Sequence, residues 1–191
     1  PPSNLENIEF LNEDSPLEVG FDKSNSNLSP LIDILEALKY SPQTFSVIPY
    51  DFRSISQADK LTKYFRQYRQ KIIELFNYSG KKVILVGQDL GCTLLSIFLN
   101  RQDDSFKNTY VEEFICVGSV FGGTFQSVLD FFNGIPEFGS KSSILQQFDG
   151  IKLKLPNNHI YNDSDVFEYD GTKYKASNLH SLVEDLKIEN F

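Results

Sequence analysis

The chain contains no Met and no Trp, only two Cys and two His, and no apolar run approaching the roughly 18 residues that a membrane-spanning helix needs. Each shortage narrows the possible functions. Two cysteines cannot build a four-thiolate zinc site. Cys92 and Cys116 also fall in stretches that read as buried helix and buried strand, so free core thiols are expected rather than a disulfide or a metal site. Positive charge is in deficit, with 18 Lys and Arg against 26 Asp and Glu, a net charge of -8 and a pI near 4.8. That balance argues against nucleic acid or an anionic bilayer as a charge-driven partner, while a neutral lipid surface stays compatible. The first residues lack the basic and apolar pattern of a secretion signal. The want of any Met, initiator included, points to a processed or partial chain. Three N-x-S/T sequons, at Asn27, Asn77 and Asn162, are close to chance for a chain this rich in Asn and Ser, and localisation stays open.

What is present suits a folded domain. The chain has 191 residues, 40% hydrophobic and 23% charged, enough for a sizeable core. Residues 1–28 are polar and irregular, with only Leu17 to Phe21 as a possible short strand, and residues 29–191 are expected to form one unit. Ser29 as N-cap and Pro30 at the first helical position open a helix whose apolar face is Leu31, Ile34, Leu35 and Leu38, stopped by Ser41-Pro42. Phe45 to Pro49 reads as a short strand. A second helix runs from about Gln57 to Asn77. Its Leu61, Tyr64, Phe65, Tyr68, Ile72, Ile73 and Phe76 recur at three and four residues, and Gly80 is placed to end it.

Val83 to Val86 is apolar throughout, as a central parallel strand covered on both faces should be. It runs into Gly87-Gln88-Asp89-Leu90-Gly91-Cys92 and an apolar helix to about Asn100. The G-x-x-x-G frame is that of a nucleophile elbow, in which flanking glycines let strand and helix backbones approach; it also suits a phosphate loop or a plain βα unit. A polar loop, 102–109, leads to a buried strand at Phe114 to Val117. The turn Gly118 to Gly123 and a short helix from Thr124 to Phe132 follow. Strands and helices alternating in this order predict a parallel sheet with right-handed crossovers. Residues 134–174 carry many breakers and read as a surface excursion rather than sheet, and Ala176 to Leu186 reads as an amphipathic helix.

Several stretches together resemble the lecithin:cholesterol acyltransferase family. Pro49-Tyr50-Asp51-Phe52-Arg53 is similar to its P-Y-D-W-R segment, with Phe for Trp. Val86 to Cys92 is similar to its G-H-S-L-G nucleophile turn. Gly118-Ser119-Val120-Phe121-Gly122-Gly123-Thr124 is similar to its G-A/S-P-W/F-G-G-S turn, with Val120 for Pro. Asn133 to Pro136 and the stretch from Leu155 to Leu186 extend the likeness, in order, over residues 17–187.

The resemblance implies a lipid-handling protein of α/β class, with a partial α/β-hydrolase fold and a mostly parallel sheet flanked by helices. In the family a serine attacks an ester, a histidine takes its proton, an aspartate orients the histidine, and backbone N–H groups hold the oxyanion. Here Asp89 stands at the serine position, no counterpart of the triad Asp and His is visible, and the Leu90 N–H is the one oxyanion donor that can be assigned. Tyr50, Asp51, Arg53, Gly122 and Gly123 carry the remaining motifs. Asp51 and Arg53 are expected to brace their loop rather than touch a ligand, and Gly122-Gly123 to serve backbone geometry.

Asp89 as a nucleophile, as in the dehalogenases and epoxide hydrolases that Gly87-Gln88-Asp89 also resembles, would need a histidine to activate water. His159, in a polar loop, and His180, on a predicted helix, both read as surface or structural residues. The expectation is therefore a catalytically silent acyltransferase-like domain, without metal or cofactor. It would act as a structural or interaction subunit whose truncated sheet is covered by other protein subunits or by unseen parts of this chain. The alternatives are a lipid-binding module and an Asp89 enzyme.

Overall fold

A computed structural model of the protein describes residues 29–53, 55–133, 148–169 and 171–179. The chain divides after Pro49 into two compact units, taken here in turn. The expected strand at Leu17 to Phe21 and His180 lie outside the described residues.

In the first unit α1 spans Ser29–Ala37. The apolar stripe read from its spacing is not the buried one: Leu31, Ile34 and Leu38 are exposed and Ile32 is buried. A nine-residue helix carries apolar side chains on more than one row, and the packing, not the period, selects the row that is covered. Phe45 to Pro49 is not a strand. A strand exists only through its ladder, and Pro49 has no N–H to give one.

The second unit opens with the loop from Tyr50 to Gln57 and α2, Ala58–Ser79. Gly80 ends α2 in the left-handed conformation, its N–H returning to the Phe76 carbonyl. The helical period here does predict the buried face, since Leu61, Phe65, Tyr68 and Ile72 are covered. β1 is Val83–Gln88, and α3, Leu90–Asn100, leads to α4, Asp104–Tyr110. The expected polar loop is thus largely helical. Its polarity belongs to an N-cap, Asp103, whose carboxylate accepts from the Phe106 N–H at 2.7 Å. β2, Val111–Val117, pairs parallel with β1.

Phe98 of α3 is the hub of the core under this sheet. It is fully buried, with ring centroids 5.6 Å from Phe65, 5.7 Å from Tyr68 and 6.1 Å from Phe106, all edge-on. Arg69 stacks over the outer side of Phe106, 4.1 Å from its centroid, and donates to Gln102 at 2.7 Å.

The parallel sheet among the described residues has two strands, β1 and β2. Its two faces are not both covered. Leu85 and Gly87 are buried, whereas Ile84, Val86 and Gln88 on the other side of β1 are exposed, as are Ile115 and Val117 of β2. The register puts Val86 beside Ile115 and Gln88 beside Val117, so these side chains form one half-exposed face.

α5, Phe125–Asn133, then packs on a short helix at Asp149–Leu153 through Val128, Phe131, Ile151 and Leu155. Past a second short helix, Asn158–Tyr161, the expected excursion holds an antiparallel hairpin of β3, Asp165–Tyr169, and β4, Thr172–Lys175. Phe167 of β3 stacks on Phe132 of α5 with centroids 4.6 Å apart. Ala176–Asn178 is a short 3-10 turn followed by the buried Leu179, and residues 180–186 of the expected helix lie outside the described residues.

Candidate functional site

The elbow forms where β1 stops at Gln88 and α3 starts at Leu90. Asp89 between them has φ 50° and ψ -121°, a conformation L residues avoid at a cost of about 1–3 kcal/mol. Two backbone bonds hold it there. Its N–H donates to the Val117 carbonyl of β2 at 3.0 Å, and its own carbonyl accepts from the Cys92 N–H at 3.1 Å. The two glycines are not equivalent. A Cβ on Gly87 would lie 2.8 Å from the Cα and N of Cys92, so helix and strand meet there only because Gly87 has none. A Cβ on Gly91 would find only the Tyr50 ring, at 3.8 Å, an ordinary contact. Leu90 opens α3, so its N–H belongs to the first turn, which lacks intrahelical acceptors.

The Asp89 carboxylate is not alone in the turn. Its Oδ2 accepts from Lys154 Nζ at 2.7 Å, with Asp89 48% and Lys154 24% exposed. Lys154 caps the helix Asp149–Leu153, and its carbonyl accepts from the Thr124 N–H at 2.8 Å. Gly123, at φ 82°, lies against the carbonyl of Leu155 so closely that a Cβ there would collide with backbone. Gly122 accepts from the Asn157 N–H at 3.0 Å. The Gly122-Gly123 turn is thus a seat for residues 154–157, and through them it sets Lys154 over the elbow.

The Tyr50 to Arg53 loop holds the other end of that helix. Phe52 O accepts from the Gly150 N–H at 2.7 Å, and Arg53 O from the Asp149 N–H at 3.1 Å. A Cβ on Gly150 would stand 2.7 Å from Phe52 O, so glycine is required. Asp51 and Arg53 pair through two parallel bonds, Nε to Oδ1 and Nη2 to Oδ2, each 2.8 Å, and the Arg53 N–H adds a third to Oδ1 at 3.0 Å. The guanidinium holds the Asp51 carboxyl below the usual carboxylate range, although burial opposes this. The Asp51 N–H donates to the Tyr64 hydroxyl at 2.9 Å. Tyr50 lies beside Gly91. Burial first, then the negative charge of Asp89, pushes its phenol up to about 12, so it is a neutral group at physiological pH.

His159 is exposed on the short helix Asn158–Tyr161, its backbone N–H held by the Asn157 side chain at 3.1 Å. Among the described residues the side chain bonded to the Asp89 carboxylate is Lys154. Among the described residues no group of three or more His, Cys, Asp or Glu is placed to hold a metal ion. Lys154 carried no signal in the sequence: it is 65 residues from Asp89, in a stretch that reads as surface. The thiols also differ from expectation, since Cys92 is buried but Cys116 is exposed on the uncovered edge of β2.

A parallel pair of strands, the first running through a tight elbow into a helix with a strained residue at the helix start, is compatible with part of an α/β fold of the hydrolase type. The sequence comparisons agree on the family. A family model for lecithin:cholesterol acyltransferase matches residues 1–154, and the chain belongs to that family. It is 28% identical over 149 residues to the lysosomal phospholipase A and acyltransferase of Rattus norvegicus, covering 74% of this chain and 36% of that one. It is 26% identical over 152 residues to the phosphatidylcholine-sterol acyltransferase of Homo sapiens, covering 72% and 34%. The chain thus spans about a third of the length of these relatives.

Proposed function

We propose that this is a catalytically silent lecithin:cholesterol acyltransferase-like domain, in which Asp89 has replaced the nucleophile and the fold serves as a structural or interaction subunit. The observation that carries the reading is the 2.7 Å ion pair between Asp89 Oδ2 and Lys154 Nζ at the elbow. An acyl-transfer nucleophile must present a free lone pair to a carbonyl and leave an ester that water or alcohol can cleave. A carboxylate would give a mixed anhydride, uphill from the ester, and here one of its oxygens is held by an ammonium. Loss of the serine in a dissected triad costs on the order of ~10⁶ in rate. The interaction role is supported by the half-exposed apolar face of Val86, Ile115 and Val117, a surface that other protein subunits would cover.

A second reading, a lipid-binding module without turnover, is favoured by a different observation. Phe121, Phe125 and Ile160 are exposed around the Gly122-Gly123 turn, with Ile160 against Gly122 and Phe125 5.1 Å from Tyr161. Native mass spectrometry of the purified protein separates the two, since a lipid binder carries acyl chains and a pure scaffold does not.

The main test is hydrolysis of a short-chain ester by the full-length protein and its Asp89→Asn and Asp89→Ser variants. We expect the natural protein and Asp89→Asn to be equally inactive. Turnover in the natural protein that disappears in Asp89→Asn would overturn the reading, and turnover appearing only with serine would support both the ancestry and the loss.

A further inference from the structure

Cys92 and Cys116 come together directly behind the elbow. Gly87 and Cys116 are partners in the parallel ladder, so Cys116 shares the sheet face on which Gly87 meets α3. Gly87 has no side chain, and the helix residue that enters the space is Cys92, fully buried, whose thiol donates to Gly87 O at 3.2 Å and faces Val117 O at 3.8 Å. The Cys92 thiol thus lies between the backbone of β1 at Gly87 and that of β2 at Val117, the residue next to Cys116. The two sulfurs differ in access, Cys116 being exposed and Cys92 closed off from solvent.

We propose that Cys116 and Cys92 form a thiol-modification site in which a low-molecular-weight disulfide enters at Cys116 and is resolved by Cys92, leaving a Cys92–Cys116 bond that ties α3 to β2. The Cys116 thiolate attacks one sulfur of the reagent, forming a mixed disulfide and releasing one thiol. The Cys92 thiolate then attacks the Cys116 sulfur and expels the second thiol. Two protein thiols are oxidised, one reagent disulfide is reduced to two thiols, and the two protons leave with them. Access decides the order, because a reagent in solution reaches only Cys116. Burial first, and then the neighbouring Cys116 side chain, raises the Cys92 thiol above its ordinary range, which suits a resolving partner rather than a first attacker. The bond would replace the Cys92 thiol's contact with Gly87 O and join the two elements whose backbone bonds hold Asp89, at Val117 and Cys92. It does not depend on whether the elbow is catalytic.

The experiment treats the reduced full-length protein with oxidised glutathione, quenches it with acid, and maps tryptic peptides without reduction. The expected product is Val83–Arg101 joined to Asn108–Lys141 with loss of two hydrogens. Cys92→Ala should stop at a glutathione adduct on Cys116, and Cys116→Ser should leave Cys92 unmodified over the same time. The inference is overturned if the natural protein stops at the adduct, takes up no glutathione, or joins either cysteine to a different one. The map of the natural protein decides this even where a variant fails to fold.

Discussion

Lys154 Nζ lies 2.7 Å from Asp89 Oδ2, an ion pair that brings together residues 65 apart in the chain and places a positive charge at the start of α3. Both side chains keep contact with solvent, so the pair is an arrangement of geometry more than a source of stability.

That balance gives a first expected outcome. A double-mutant cycle of Asp89→Asn and Lys154→Met, followed by urea unfolding, should give a coupling of no more than about 1 kcal/mol that shrinks as salt is added. A coupling of several kcal/mol, insensitive to salt, would mean that the pair is effectively buried.

The elbow glycines should separate cleanly. Gly87→Ala places a methyl 2.8 Å from the Cys92 backbone, which has no flexible end to yield, and should cost about 1–3 kcal/mol or more. Gly91→Ala meets only the Tyr50 ring at 3.8 Å and removes a glycine from a helix, so its effect should be neutral or slightly stabilising. Equal losses at the two positions in urea unfolding would contradict this geometry.

Phe98→Ala should be the most damaging truncation under the sheet, at about 3–5 kcal/mol, because Phe98 is fully buried between Phe65, Tyr68 and Phe106. Ile115→Ser, on the open face, should cost far less unless a partner covers it. Thermal unfolding of the two variants side by side checks both statements.

The pH response should differ at its two ends. The folded Asp51 carboxyl is held below its unfolded value of about 3.9, so its contribution is complete above that value and is lost as the pH falls through the lower folded one. Urea midpoints of the natural protein and Asp51→Asn should therefore converge on acidification. For Tyr50 the folded phenol is raised to about 12 from about 10, so its contribution is complete below pH about 10 and is lost as the pH rises between the two. Tyr50→Phe should soften the alkaline loss of stability, and an unchanged alkaline limb would show that the phenol is not shielded as described.

The sequence by itself determined what short-range chemistry controls. The α2 period with Gly80 as its stop, the β1-to-α3 turn around Asp89, and the family motifs were all legible, because periodicity, capping and backbone freedom act within a few residues. Only the tertiary structure decided which partner each element received. Phe45 to Pro49 read as a strand but found no ladder, and 165–175 read as an excursion but became a hairpin anchored by Phe167 on Phe132. The apolar face of β1 and β2 stayed open although its composition matches a covered one. Lys154 was invisible for the same reason. Its place over Asp89 depends on Gly150 closing onto Phe52 and Gly123 closing onto Leu155, contacts between segments distant in sequence that no local pattern encodes.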